Sequence, residues 1–312
     1  MFTRRWLFIP ALVIIGIICL GIILHLTSSK PENISVTNSD EQAITDGSYQ
    51  RIISLSPSIT ESLFALGLGD RVVGVTNFCD YPPEALTKSK IGGYSDLNLE
   101  AIVALNPDIV VCLPEHESKI VDLERLDISH LTVDHRKVEM IMESLITLGQ
   151  TFGASEQAKS LVEEIRKRIE TVEKRAVDGK HPRVLICVGR NMGSKTIDSV
   201  FAAGSGVFYD EMITMAGGIN AYQGNLIYPD LTGEGLLRLE PDIIIDMVAD
   251  LTDSGVTEAD VLKQWDTFPD LPAVKHGHVF LFTDDFVVVP GPRFINILEK
   301  IAAVIQSEDI EL

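Results

Sequence analysis

The sequence predicts an α/β fold of two Rossmann-like lobes bridged by a single long α-helix, behind an N-terminal transmembrane anchor. Three observations predict this fold. Residues 97–111 are echoed by residues 231–245, both with the pattern L-x-x-E-x-x-x-x-L-x-P-D-I followed by two β-branched residues. Short apolar runs alternate with amphipathic segments, which is typical of alternating strands and helices. Between the two copies, residues 138–177 carry almost continuous helical periodicity.

The repeat indicates two similar lobes. Its copies lie too far apart for a solenoid, whose periods run roughly 20–50 residues. In each copy the pattern predicts a short helix that ends before Pro-Asp, followed by a buried strand. Glu100 and Glu234 stand near the start of that helix.

We divide the chain into five segments: residues 1–28 as the anchor or signal, 29–50 as a flexible linker, 51–137 as the N-terminal α/β lobe, 138–178 as the bridging helices, and 179–312 as the C-terminal α/β lobe. Gly149 and Gly153 predict a break between two helices within the bridge. Alternating strands and helices favour parallel sheets covered on both faces, which bind ligands at the carboxyl ends of their strands. The sequence therefore predicts a cleft between the lobes, and a helical bridge favours only small closure.

The N-terminus carries a membrane-type segment. Arg4 and Arg5 precede an apolar run over residues 6–26. About 20 apolar residues can cross a bilayer, and preceding positive charges place the N-terminus in the cytoplasm. The run is long for a signal-peptide core and no Ala-x-Ala site follows it, which favours an uncleaved anchor over a cleaved signal. Lipidation of Cys19 is disfavoured because Ile18 stands where a small residue is expected.

Composition limits the function classes. A chain of 312 residues suggests about two domains. The formal net charge of −19 argues against nucleic acid, whose phosphates require Lys and Arg. We expect a monomer. Cys79, Cys112 and Cys187 follow the anchor, and Cys79 with Cys112 is either a disulfide or two small buried thiols.

The N-terminal lobe begins with a strand at 51–54. A helix follows from Ser56-Pro57, where Ser58 and Glu61 have capping-box spacing, and it ends at Gly67. Three further strands are predicted, at 72–75, 109–112 and 131–133. The C-terminal lobe is predicted to contain strands at 183–188, 243–246 and 279–282 and helices at 207–216, at 258–265 and from about Pro292.

No catalytic pattern is present. The sequence lacks G-x-S-x-G, H-E-x-x-H and G-x-x-x-x-G-K-[ST]. Its histidines are scattered, without the spacing of a metal site. We therefore expect neither an enzyme nor a resident metal or cofactor.

Several motifs together resemble one family, and they lie at 51–61 (RIISLSPSITE), 80–83 (DYPP), 98–100 (NLE), 106–108 (NPD) and at the Glu234 copy. The chain resembles the cobalamin and iron–siderophore solute-binding proteins of ABC importers, from about residue 50 to its C-terminus. The resemblance implies two lobes joined by one long helix. It also implies capture of a metal chelate outside the membrane and delivery to a permease dimer with its ATPase.

The resemblance also implies site residues. Glu100 and Glu234 match the positions at which the family docks onto permease arginines. Phe78, Tyr94 and Tyr228 fall where cobalamin binders place aromatic walls, which suit large flat ligands. These five residues are expectations carried by the motif positions.

Further ligand contacts are expected from charged residues in the cleft loops. Asp80, Asp284 and Asp285 are candidates, and Arg190 is expected to meet an anionic group of the ligand. Residues 286–290 (FVVVP) depart from the family pattern, in which polar or basic residues are common. A neutral or cationic corrinoid therefore fits these loops better than an anionic siderophore.

Alternatives to this interpretation are a haem-binding receptor or a sensor ectodomain of the same fold, and an α/β enzyme. The receptor interpretation places the protein outside the cytoplasm, in the periplasm or on the outer cell surface, tethered through residues 6–26.

Overall fold

The computed structural model describes residues 49–176, 181–191, 194, 196–249, 251 and 257–307. The predicted anchor and almost all of the predicted linker lie outside these residues. Within the described part of the chain, no helix combines the length and the apolar composition that a membrane span requires.

The N-terminal lobe is a five-stranded parallel sheet with the order β3-β2-β1-β4-β5. Its strands are β1 (Ile52–Ser54), β2 (Val72–Val75), β3 (Ser89–Lys90), β4 (Ile109–Cys112) and β5 (His130–Thr132), and its helices are α1 (Pro57–Ala65), α2 (Leu99–Ala104) and α3 (Glu117–Arg125). Successive strand residues point to opposite faces, so the sheet has two cores. Ile52 packs with Leu63 of α1 on one face, and Ile53 packs with Ile102 of α2 and Leu123 of α3 on the other.

Helix α1 begins two residues earlier than the capping-box spacing of Ser58 and Glu61 predicted. Ser56 is the N-cap, and its side chain accepts a hydrogen bond from the backbone N–H of Ile59 at 3.2 Å. Ser58 and Glu61 therefore lie inside the helix and do not cap it. This correction leaves the carboxylate of Glu61, only 4% exposed, without a capping role.

Two helices, rather than one, connect the lobes: α4 (Val138–Phe152) and α5 (Ser155–Ala176). Gly153 ends α4 with φ of 73°, as the sequence predicted, whereas Gly149, also predicted at the break, lies inside α4. Both helices contribute to both lobes. The first half of α4 and most of α5 pack into the C-terminal core, whereas the end of α4 and the start of α5 pack into the N-terminal core.

The C-terminal lobe has a six-stranded sheet whose main path is β11-β10-β6-β7-β9, with β8 paired to β6. Its strands are β6 (Arg183–Arg190), β7 (Ser199–Ala202), β8 (Ile219–Asn220), β9 (Asp230–Thr232), β10 (Ile243–Met247) and β11 (Val279–Phe282), and its helices are α6 (Phe208–Met215), α7 (Gly233–Leu239), α8 (Glu258–Gln264), α9 (Pro272–Lys275) and α10 (Phe294–Ile305). The expectation of a purely parallel sheet is wrong here. Strand β7 runs antiparallel to both β6 and β9, so the sheet is mixed.

The Pro-Asp part of the repeat has the same structural role in both lobes. The carboxylate Oδ2 of Asp108 accepts the backbone N–H of Arg51 at 2.8 Å, and Oδ2 of Asp242 accepts that of Arg183 at 2.8 Å. The side chain of Arg51 also donates to a carbonyl at the end of α2, and that of Arg183 to a carbonyl at the end of α7. These are the short helices that come just before Asp108 and Asp242. The repeat thus connects the start of β1 to the end of α2 in the N-terminal lobe, and the start of β6 to the end of α7 in the C-terminal lobe.

The repeat also preserves an unusual backbone conformation. Asn106 and Glu240, which precede the two prolines, have φ of 42° and 43°. Few residues other than glycine adopt this left-handed region. The two lobes therefore share the same helix-to-strand turn, and of the repeated charged residues only Glu100 and Glu234 take no part in it.

The three cysteines of the described chain, Cys79, Cys112 and Cys187, are buried free thiols. Cys79 and Cys112 are therefore two separate buried thiols and not a disulfide. The Cys79 Sγ lies 3.2 Å from the Thr60 hydroxyl and 3.1 Å from that of Thr76.

Candidate ligand-binding site

A cleft of about 950 Å³ lies between the two lobes and is lined by both. Its volume is at the upper end of the range for small-molecule and cofactor sites. Its lining comes from several loops and from the first turns of α1, α4 and α6: Ser56, Pro57, Ser58, Glu61, Phe78, Asp80, Tyr81, Tyr94, Leu113, Glu115, His135, Arg136, Lys137, Met140, Gly206, Val207, Phe208, Ile227, Tyr228, Ala249, Asp285, Val288, Val289, Pro290 and Arg293.

The position of the cleft follows from the topology of the sheets. In the N-terminal lobe, Phe78, Tyr94, Glu115 and His135 come after β2, β3, β4 and β5. In the C-terminal lobe, Asp285 comes after β11. The carboxyl ends of the strands therefore face the cleft, as expected for open α/β sheets.

Five of the seven ligand-contact residues predicted from the sequence line this cleft: Phe78, Asp80, Tyr94, Tyr228 and Asp285. Phe78 is 62% exposed and Tyr228 is 44% exposed, so both rings offer free surface. The side chain of Asp80 is 68% exposed, with Lys90 Nζ at 3.8 Å from its carboxylate.

Arg190 and Asp284 lie elsewhere. Where a contact of Arg190 with an anionic ligand was expected, the structure has an internal ion pair. Its Nε lies 3.0 Å from Oδ2 of Asp246, and the two side chains are 2% and 1% exposed. Asp284 forms an ion pair with Lys300 of α10. Neither residue lines the cleft, so neither belongs to the candidate site.

Tyr94 and Glu115 form a polar pair on the N-terminal wall of the cleft. The Tyr94 hydroxyl donates to Glu115 Oε1 at 2.6 Å. Burial, and then this bond to a carboxylate, raise the pKa of Tyr94, because both disfavour the phenolate. Burial, followed by the charge of Glu115, also raises the pKa of Tyr228 on the C-terminal wall. Both tyrosines are therefore neutral hydroxyls at physiological pH.

Arg293, which the sequence analysis missed, crosses the cleft between the lobes. Its guanidinium binds Glu61 of α1 through Nη2–Oε1 at 2.6 Å and Nε–Oε2 at 2.9 Å. Its Nη1 donates to Asp285 at 3.0 Å, and it lies 3.6 Å from the ring centroid of Tyr81. Burial raises the pKa of Glu61 against the opposing effect of Arg293.

His135, also missed, is buried in the lining. Its Nδ1 lies 2.9 Å from the Ser58 hydroxyl, and its Nε2 has no hydrogen-bond partner among the described residues. Burial lowers the pKa of His135 to about 4, so the ring is neutral at pH 7. One sequence signal was available for it, since it follows a predicted strand at its carboxyl end.

Glu100 and Glu234 lie outside the cleft, each in the first turn of an exposed short helix. Asn98, the N-cap of α2, donates its backbone N–H to the carbonyl of Ile91, directly after β3. Helix α7 begins at the end of β9, which runs parallel to β6 because both are antiparallel to β7. Both glutamates therefore lie at the carboxyl edge of their sheet, which is also the edge that faces the cleft. Glu234 forms an ion pair with Arg238 at 2.6 Å.

The chemistry of the cleft is that of a binding surface. Aromatic and aliphatic side chains line most of it, with tyrosine hydroxyls and carboxylates at intervals. Within the described residues, no three His, Cys, Asp or Glu side chains are grouped so that they could hold a metal ion.

Comparisons with known proteins agree with this architecture. The chain is 30% identical over 264 residues to the uncharacterized ABC transporter substrate-binding lipoprotein YvrC of Bacillus subtilis (strain 168), covering 81% of this chain and 79% of that protein. It is 26% identical over 265 residues to a vitamin B12-binding protein of Vibrio campbellii (strain ATCC BAA-1116), covering 84% and 91%.

A solved structure, the periplasmic heme-binding protein RhuT from Roseiflexus sp. RS-1 in apo form, superposes with a TM-score of 0.70 at 25% identity. The match covers 84% of this chain and 99% of that one. The family described as periplasmic binding protein matches residues 52–286, a range that includes the bridging helices and most of both lobes. The chain therefore belongs to the periplasmic binding protein family.

Proposed function

We propose that this protein is the substrate-binding component of an ABC importer. It captures a bulky metal chelate, a corrinoid or a ferric siderophore, outside the cytoplasmic membrane and delivers it to the permease. The observation that carries the proposal is the cleft of about 950 Å³, walled by aromatic side chains from both lobes. The vitamin B12-binding relative and the relative named an ABC transporter substrate-binding lipoprotein support the same class of ligand and partner.

The charges of the cleft favour a neutral or cationic corrinoid within this class. Arg293 already binds two carboxylates, those of Glu61 and Asp285. Arg136 is paired with Asp134. An anionic siderophore would have to displace these carboxylates, whereas the amide groups of a corrinoid can donate to them.

Binding is tested by isothermal titration of the purified protein with cyanocobalamin, cobinamide, haemin and a panel of ferric siderophores. We expect a corrinoid to bind most tightly. Absence of binding to every one of these ligands would refute the receptor function.

A haem-binding receptor is the second candidate, favoured by one observation. Tyr94 lines the cleft, and a tyrosine oxygen is an established haem ligand. The haem-binding structural relative belongs to the same fold. Under this alternative, addition of haemin produces a tyrosinate-to-iron charge-transfer absorption band, and Tyr94→Phe removes that band. Corrinoids do not bind in the same calorimetric titration.

Docking onto the permease is assigned to Glu100 and Glu234. Both are exposed, both belong to the repeat, and both stand at the carboxyl edge of their sheet. A glutamate at a helix N-terminus also stabilises the helix by roughly 0.3–1 kcal/mol, so docking must be separated from this effect. A two-fold permease dimer would present the same basic patch to each lobe.

The test is a double charge reversal. Glu100→Lys with Glu234→Lys should abolish uptake of the chelate by cells while leaving the dissociation constant of the purified protein unchanged. Glu117→Lys with Glu258→Lys is the matched control, because these glutamates are exposed and occupy the first turns of α3 and α8. Normal uptake by the Glu100/Glu234 variant, or equal loss in the control, would contradict the assignment.

The tether belongs to the same proposal. Residues 6–26 would hold the receptor at the outer face of the cytoplasmic membrane. Fractionation of cells that express the full chain tests this, with recovery in the soluble extracytoplasmic fraction as the contrary result.

A further inference from the structure

Glu61 and Arg293 connect the two lobes directly, at a place distinct from the bridging helices. Glu61 belongs to α1 of the N-terminal lobe, and Arg293 is the N-cap of α10 in the C-terminal lobe. The guanidinium makes two parallel bonds to the carboxylate, Nη2–Oε1 at 2.6 Å and Nε–Oε2 at 2.9 Å. This paired geometry is the strongest and most directional form of an arginine–carboxylate contact.

The pair is largely removed from solvent. The Glu61 side chain is 3% exposed and that of Arg293 is 14% exposed. Tyr81 of the N-terminal lobe covers the guanidinium, with its ring centroid 3.6 Å from Cζ. Separating the lobes here would break both hydrogen bonds and this stacking contact together.

The backbone around the pair is also closely packed. A Cβ atom placed on Gly291 would lie 3.1 Å from Oε2 of Glu61 and 3.3 Å from Cα of Ser58. The segment that leads into Arg293 therefore rests on the first turns of α1. The ion pair is part of a packed contact between the lobes, not two long side chains meeting across water.

The same residues face the ligand space. Glu61, Tyr81, Asp285 and Arg293 all line the cleft. Asp285, half exposed, accepts from Nη1 of Arg293 at 3.0 Å. A molecule in the cleft thus contacts the side chains that hold the lobes at their present distance.

We propose that Glu61 and Arg293 are positioning residues that fix the separation of the lobes, and with it the width of the cleft, before a ligand binds. The cleft is then preformed and selects ligands by thickness. Release at the permease requires this pair to part. The proposal rests on the proposed function only in naming the cleft as the ligand site, because the lobe separation is measurable without a ligand.

The test uses pulsed electron paramagnetic resonance of the ligand-free full chain. It measures the distance between two spin labels, one on each lobe. The labels are attached at Glu124→Cys and Asp270→Cys, which are exposed positions on the N-terminal and C-terminal lobes. Cys19→Ser is included, and the cysteines of the described chain are buried. We expect Glu61→Gln and Arg293→Gln each to broaden the distance distribution and add a longer population.

The matched control is Arg168→Gln. Arg168 also binds a glutamate through two bonds, to Glu299 at 2.8 and 2.6 Å, but it joins α5 to α10 on one side of the cleft. Its distribution should equal that of the unsubstituted chain. If Arg293→Gln does not fold, Arg293→Lys keeps the charge, loses the paired geometry and should give a smaller broadening.

Unchanged distances in the Glu61 and Arg293 variants would overturn the proposal, including when their melting temperature falls, because the pair would then only stabilise the fold. Equal broadening in Arg168→Gln would overturn it as well. Failure of every chelate to bind would refute the receptor function and leave the distance result intact.

Discussion

Substitution of Arg190 by Met removes a buried positive charge from the C-terminal lobe and leaves a buried carboxylate without its partner. Arg190 Nε and Asp246 Oδ2 are 3.0 Å apart, and both side chains are almost fully buried. Arg190 also contacts Gln264 of α8. The substitution keeps most of the side-chain volume, so its effect reports on the charge.

The expected magnitude follows from what Asp246 retains. Its Oδ2 still accepts from Nε1 of Trp265 at 3.0 Å, while its Oδ1 has no hydrogen-bond partner among the described residues. Removing one partner of a buried ion pair costs about 3–5 kcal/mol. Burial already raises the pKa of Asp246 in the presence of Arg190. Without Arg190 the pKa of Asp246 rises further, so protonation of the carboxylate lessens the loss at low pH and the loss grows as the pH rises.

The assay is urea unfolding of the full chain, followed by tryptophan fluorescence. The sequence has two tryptophans, and Trp265 donates directly to Asp246, so its emission reports on this site. Arg190→Met combined with Asp246→Leu is the control, because an apolar pair often restores what a single charge removal loses. We expect the double variant to be more stable than Arg190→Met.

Two results would refute this reasoning. A loss below about 1 kcal/mol at pH 8 would mean that Asp246 is not stranded in a low-dielectric site. If Arg190→Met is stable but binds the chelate more weakly, Arg190 contacts the ligand, as the sequence predicted.

Two further predictions concern the cleft walls. Burial lowers the pKa of His135 to about 4, so the unfolded chain binds one more proton than the folded chain between pH 4 and its ordinary value near 6.5. The free energy of unfolding is therefore unaffected by this group above pH 6.5 and falls by about 3 kcal/mol as the pH drops to 4. Urea unfolding of the unsubstituted chain should show this fall relative to His135→Gln. Gly204→Ala should destabilise the fold by about 1–3 kcal/mol and speed amide exchange in residues 226–228, because its Cβ would lie 1.9 Å from the carbonyl oxygen of Leu226.

Each of these has a contrary outcome. Parallel pH profiles for the unsubstituted chain and His135→Gln would mean that the imidazole is solvated. Gly189→Ala is the control for Gly204, since nothing lies within 4 Å of its added Cβ. Equal effects at the two glycines would show that the loop before β9 does not rest on Gly204.

The elements of the fold that the sequence predicted well are those with local signals. Strand β4 is a short apolar run behind Pro-Asp, and Gly153 ends α4 by its left-handed backbone. Strands β7 and β9 were missed because their pairing is antiparallel and non-local, and neither is a long apolar run. Their residues acquire strand geometry from their partners.

The candidate site was predictable where a residue only had to follow a strand, as Phe78 and Tyr94 do. It was not predictable where two distant residues had to meet. Glu61 and Arg293 are 232 positions apart, and Arg190 reaches Asp246 only through the pairing of β6 with β10. A signal did exist for Asp246, since one carboxylate inside an otherwise apolar strand requires a buried partner.

The bridging helices have a consequence for how the protein unfolds. Helix α4 contributes Val138 and Leu145 to the C-terminal core and Leu148 and Phe152 to the N-terminal core, and α5 is divided in the same way. Loss of structure in one lobe would therefore uncover apolar surface belonging to the other. The lobes are separate as binding walls, but they share one cooperative unit of stability and should melt in a single transition.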